Sequence, residues 1–148
     1  MEATELAAVH RSVSVPLPVE KAFQLFTDGT GTWWPFASHS IGGNEAVDAV
    51  FEGREGGLVY EVLRDGTRAE WADIVAWDPP HRFLLSWRVN PAREPTEVEV
   101  RFEQEGEGTR VELEHRGWER VTDGPAEMRA SYDTGWEHVL GEFAEAAA

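Results

Sequence analysis

The C-terminal segment from Gly124-Pro125 to Ala148 constrains this chain more than any other stretch. Met128, Tyr132, Trp136, Val139, Leu140 and Phe143 recur at helical spacing and form one apolar stripe. At about 1.5 Å per residue such a helix is about 34 Å long. A folded chain of 148 residues has a radius of gyration of only about 15 Å. The helix therefore crosses nearly the full width of the molecule and must be its central packing element. Gly135, beside Trp136, lets a strand or ring approach closely, although a helical glycine costs about 1 kcal/mol against alanine.

The remainder of the chain reads as strands with one helical interruption. In AVHRSVSV, Val9, Val13 and Val15 share one face, with His10, Ser12 and Ser14 on the other. The period then changes. In LPVEKAFQLFTDG, Val19, Ala22, Phe23 and Phe26 follow helical spacing, Pro18 suits a first turn and Asp28-Gly29 a stop. A further helical turn is expected around Thr32. From Ala46 onward six strands follow: AVDAVFEG, GLVYEVLR, TRAEWADIVAW, HRFLLSW, TEVEVRFEQ and TRVELEHRGW, separated by clusters of turn formers such as Asp65-Gly66 and Asp78-Pro79-Pro80. This spacing predicts consecutive antiparallel hairpins. Val98, Val100 and Phe102 alternate with Glu97, Glu99 and Arg101, and Val111, Leu113 and His115 with Arg110, Glu112 and Glu114, so one face of these strands is buried and the other wet. GLVYEVLR and TRAEWADIVAW alternate poorly, and their faces stay open.

Composition bounds the partners. With 41% hydrophobic and 28% charged residues over 148 positions, the chain fits one domain, 1–148, with a sizeable core. The formal net charge of −15 argues against nucleic acid and against anionic membrane surfaces. There is no cysteine, hence no disulfide framework and no thiolate chemistry. The start, MEATELAAVHRSV, lacks the basic and apolar regions of a signal peptide, and no apolar run is long enough to span a bilayer, so a cytoplasmic location is expected.

Strand, short helices, antiparallel strands and a long terminal helix describe an α+β fold in which a curved sheet wraps the helix. Within that order, AWDPPHRFLLSW, GTRVELEHRGW and SYDTGWEHVLGEF resemble the bacterial proteins of the activator of Hsp90 ATPase homologue 1-like family. That family belongs to the START-like, or SRPBCC, superfamily with its helix-grip (Bet v 1-like) fold. The resemblance runs from Val9 to Phe143. It implies two short helices after the first strand and a hydrophobic cavity between the C-terminal helix and the sheet. It supplies no catalytic signature that can be carried over residue by residue.

The aromatic segment TWWPFASHSIGG, Thr32–Gly43, falls where the resemblance places one rim of that cavity. Trp33, Trp34 and Phe36 are therefore candidate ligand-binding residues, against the alternative that they plug the core. Trp71 and Trp87 on strands, and Met128, Tyr132 and Trp136 on the helix, complete the candidate lining. Trp87, in phase with Phe83 and Leu85, is the strand tryptophan expected to point inward. His115 is the polar residue that clean alternation turns inward. It reads either as a wall histidine satisfied by hydrogen bonds or as an acid or base, with Asp133 as a partner it could reach. The other histidines, His10, His39, His81 and His138, lie on separate elements without ligand spacing, so no metal site and no cofactor are assigned. Gly29-Thr30-Gly31 lacks the lysine of a phosphate loop. The acidic strand faces and Glu137, Glu142 and Glu145 read as solvated surface.

Three functional readings follow. The first is binding of a small apolar or aromatic ligand in the cavity. The second is an enzyme of cyclase, dehydratase or hydrolase type on the same scaffold. The third, suggested by the family name, is an interaction module for the Hsp90 chaperone, which is the least favoured partner. A homodimer is left open.

Overall fold

In a computed structural model that describes residues 6–148, β1 (Val9–Val15) leads into helices α1 (Val19–Thr27) and α2 (Thr30–Trp33). Six strands follow: β2 (Ala46–Phe51), β3 (Leu58–Leu63), β4 (Arg68–Asp78), β5 (Arg82–Trp87), β6 (Thr96–Glu105) and β7 (Gly108–Arg116). A 3-10 turn at Trp118–Arg120 then leads to α3 (Pro125–Ala147). Turn formers join β2 to β7 as hairpins, and the seven-stranded sheet runs β1-β7-β6-β5-β4-β3-β2, with every neighbouring pair antiparallel. The sheet curls into a half-barrel around α3. Because β1 and β2 occupy opposite edges, the chain between them, α1, α2 and the aromatic loop, must cross the whole sheet.

The stripe foreseen on α3 is the face that is buried. Trp136, Val139, Leu140 and Phe143 are buried there, while Met128 and Tyr132 nearer its start are partly buried. Arg11 of β1 fastens the outer side of the helix through Asp133 at 3.0 Å and Glu137 at 2.9 Å. At the α1 end Phe23, Phe26, Phe83, Phe102 and Phe143 interlock edge to face, with Trp33 set against Phe26 and Phe143.

The poor alternation of β4 has a structural reason. Val59 pairs with Ala72 but Tyr60 with Glu70, which leaves Trp71 as an extra residue in β4. Ile74 pairs with Leu85 but Ala76 with Leu84, which leaves Val75 extra. Each bulge shifts the pleat by one residue. Trp71 and Ala72 are consequently both buried, whereas Val75 is turned out to solvent.

The outer face of β5, β6 and β7 corrects the expectation of a merely solvated acidic surface. Glu99 is buried beneath Arg82, Arg101 and Arg116, which approach it to 2.8, 2.9 and 2.8 Å. Burial alone would raise its pKa. Hydrogen bonds from Arg116 and Arg82, with the charge of Arg101, outweigh burial and pull it to about 2.

Candidate functional site: a tryptophan-walled pocket

Away from the phenylalanine cluster, α3 and the sheet do not meet fully, and a partly open pocket of about 220 Å³ lies between them. Trp71 of β4, Trp87 of β5 and Val89 just beyond it form the sheet side. Tyr132, Gly135, Trp136 and Val139 form the helix side. Trp34 and the loop residues Ser38, His39, Ser40 and Ile41 form the rim. Tyr132, Gly135, Trp136 and Val139 share one helix face because their spacing follows the helical repeat.

The rings are held by their N–H groups. Trp34 Nε1 donates to the carbonyl of His39 at 2.7 Å, Trp71 Nε1 to Glu61 at 2.6 Å, Trp87 Nε1 to Tyr132 Oη at 3.0 Å and Trp136 Nε1 to His115 Nδ1 at 2.9 Å. An indole in a core needs such a partner, and the partner fixes where the ring can lie. Trp34 and Trp71 are 4.6 Å apart between centroids, and Trp87 and Trp136 5.3 Å.

Glu61 and His115 stand behind these walls. The Glu61 side chain is fully buried and, besides Trp71, accepts the backbone N–H groups of Ile41 and Gly42 at 2.8 and 2.7 Å. One carboxylate thus ties the rim loop to the sheet. His115 is also fully buried. Its Nδ1 accepts from the indole of Trp136, so in the neutral ring the proton sits on Nε2, which donates to Thr96 Oγ1 at 2.6 Å. Burial pushes the His115 pKa down to about 3, so the imidazole stays neutral near neutral pH.

At the rim, the His39 ring stacks on His138 of α3 with centroids 4.9 Å apart, and its Nδ1 lies 2.7 Å from Ser38 Oγ. Burial, and secondarily the neighbouring His138, lower the His39 pKa. The ring lies over Gly135, where a Cβ would meet His39 Cδ2 at 3.6 Å, an ordinary contact distance.

Of the candidates read from sequence, Trp34, Trp71, Trp87, Tyr132 and Trp136 come together around the pocket. Trp33, Phe36, His115 and Met128 are not among its lining residues. Trp33 packs into the phenylalanine cluster and donates to the carbonyl of Leu25, while Phe36 and Met128 lie half-buried against the core. The His115–Asp133 pair does not form, because Asp133 faces Arg11 and both His115 nitrogens are engaged, by Thr96 of β6 and Trp136 of α3.

Ser38, His39, Ser40, Ile41, Val89 and Glu61 are the site residues that the sequence reading missed. His39 was legible only as part of the aromatic loop. Trp118 was read as the end of a strand, but Gly117, at φ 98°, turns the chain so that Trp118 is buried against His115, donating to its carbonyl at 3.0 Å. Among the described residues there is no cluster of three or more metal-ligating side chains, and no helix is long and apolar enough to cross a membrane.

A curled antiparallel sheet gripping a long C-terminal helix, with a pocket left between them, defines a helix-grip protein of the START-like class. The family model described as activator of Hsp90 ATPase homolog 1-like protein matches residues 16–148, and the chain belongs to this family. Among solved structures it is similar to the anthrahydroquino-γ-pyrone synthase Txn09, with 33% identity over 95% of this chain and 97% of that one and a TM-score of 0.65. It is also similar to CalC, a self-sacrificing resistance protein from Micromonospora echinospora, at 27% identity, 95% and 94% coverage and a TM-score of 0.70. The Aha1 dimer from Colwellia psychrerythraea shares the fold, at 18% identity, 96% coverage of each chain and a TM-score of 0.67. No curated protein matches the sequence.

Proposed function

We propose that the protein binds a small aromatic or apolar molecule in the pocket between α3 and the sheet. The observation that carries this reading is the wall of four tryptophans and Tyr132, each indole held by a hydrogen bond, with open space left beside the rings. Apolar walls with a few polar groups are the usual make-up of a ligand site. At about 220 Å³ the pocket exceeds the roughly 150 Å³ that encloses a single benzene and falls below the range of roughly 300–1,000 Å³ for drug-sized ligands. It suits one or two fused rings, and anything larger must extend through the mouth.

An enzyme working in the same pocket is the second reading. It is favoured by the 33% identity to Txn09, which is named a synthase, and by the presence of Tyr132 and His39 among the lining residues. The chaperone reading rests on the family's description and on a likeness of fold to Aha1.

Native mass spectrometry of protein purified from its own host tests the first reading. A co-purifying aromatic compound is expected, and it should be lost from the variant Val89→Trp, which fills the pocket from the strand side. Protein that carries no guest, and whose melting is unmoved by a panel of bicyclic aromatics, ends this reading.

A further inference from the structure

We infer that the guest is recognised through an oxygen acceptor, a ketone, quinone or pyrone carbonyl on an aromatic frame, and that Tyr132 is the residue that reads it; this rests on the pocket being a ligand site. A phenol has one hydrogen to give and can accept in return. Trp87, whose indole N–H can only donate, occupies the accepting side of Tyr132 Oη at 3.0 Å. The phenolic hydrogen has no acceptor among the described residues, while Tyr132 itself lines the pocket.

The group is therefore committed in direction. With Trp87 donating into it, Tyr132 can offer a hydrogen bond to a guest but is poorly placed to receive one. Accepting from the indole also polarises the O–H and makes it a better donor. Burial pushes the Tyr132 pKa up, more than the Trp87 contact and the charge of Arg93 pull it down, so the phenol keeps its proton. Apart from Ser38, His39 and Ser40 on the rim loop, the remaining lining is indole and aliphatic surface. A bare hydrocarbon would leave this donor without a partner, whereas a ring bearing a carbonyl satisfies it.

The test uses two probes that differ in that one group, 1-tetralone and the hydrocarbon tetralin, titrated against tryptophan fluorescence. The wild-type protein is expected to bind 1-tetralone about fivefold more tightly than tetralin, as a neutral hydrogen bond implies. Tyr132→Phe should abolish that preference while tetralin affinity is kept. As a readout that needs no substitution, the carbonyl stretch of bound 1-tetralone should move to lower wavenumber than in an apolar solvent. Trp87→Phe should free the oxygen of Tyr132 and let the alcohol 1-tetralol gain on the ketone. If both probes bind equally and the carbonyl band does not move, the assignment to Tyr132 falls while the pocket survives as a ligand site. If neither probe binds, both fall together.

Discussion

The two ends of the gap between α3 and the sheet are filled by different aromatic residues, and the contrast explains why only one end is open. At the α1 end, phenylalanines carry no polar atom and are free to interlock. Phe26 lies 5.0 Å from Phe143 and Phe23 5.1 Å from Phe102. At the other end each indole must answer to a fixed acceptor, on the rim loop, on β3, on β7 or on Tyr132. Each ring is thereby pinned in place as a wall. Where the two sets meet, the space left is about 10 Å³, at the limit of what holds one water.

The widest separation between the ends should appear in stability. Phe83 is fully buried and touches Phe23, Phe26, Phe51 and Phe102. Phe83→Ala should cost about 3–5 kcal/mol, lowering Tm by about 10 °C. Trp34→Ala, which removes a wall already bordering open space, should cost about 2 kcal/mol, because water and the loop can relax into the site. Equal losses in calorimetry would erase the distinction between a packed end and an open one.

A pH titration sharpens the comparison from the tryptophan side, where a histidine is built in as an acceptor. His115 titrates at about 3 when folded and near 6.5 when unfolded. Between those values the unfolded chain binds a proton that the folded chain refuses. Stability is therefore full above about pH 6.5 and falls as the pH is lowered, by up to about 1.4 kcal/mol per pH unit from this residue. Below about pH 4.5 the loss of Glu99, whose folded pKa is about 2, adds in the same direction, and between about pH 6.5 and 5 the lowered pKa of His39 adds to the slope of His115. His115→Gln should reduce the slope of the melting profile between about pH 6.5 and 5, leaving the part that belongs to His39, and a slope that persists unchanged would remove His115 as a source.

The smallest expected effect is a gain. A methyl at position 135 would meet His39 at ordinary van der Waals distance, so Gly135→Ala should stabilise by about 0.5–1 kcal/mol from helix propensity alone. It should also narrow the pocket. A drop in Tm would show that His39 is packed more tightly against α3 than this spacing implies.

Much of the fold was legible because it rests on periodicity. The α3 stripe, the edge strand β1, the short helices and the alternation of β6 and β7 all follow from where apolar residues repeat. The faces of β4 were not legible, because the bulges at Trp71 and Val75 change the phase without marking the sequence. Glu61 was missed for a related reason: an acid in an irregular strand reads as surface until the backbone amides of Ile41 and Gly42 are brought to it from the far side of the chain. Glu99 stood in plain alternation, and only the convergence of three arginines from β5, β6 and β7 makes its burial tolerable. The tryptophans of the pocket could be named individually, but the order in which the walls meet depends on the long crossover from β1 to β2, which no local pattern encodes.

The crowding of indoles around one small space gives the molecule a built-in optical probe. With Trp34 and Trp71 4.6 Å apart, and Trp34, Trp87 and Trp136 linked by ring distances of 5.3 to 6.1 Å, excitation absorbed by one ring is shared among its neighbours. Their transitions should couple into an exciton band in circular dichroism, and a single quencher seated among them would darken the whole set at once.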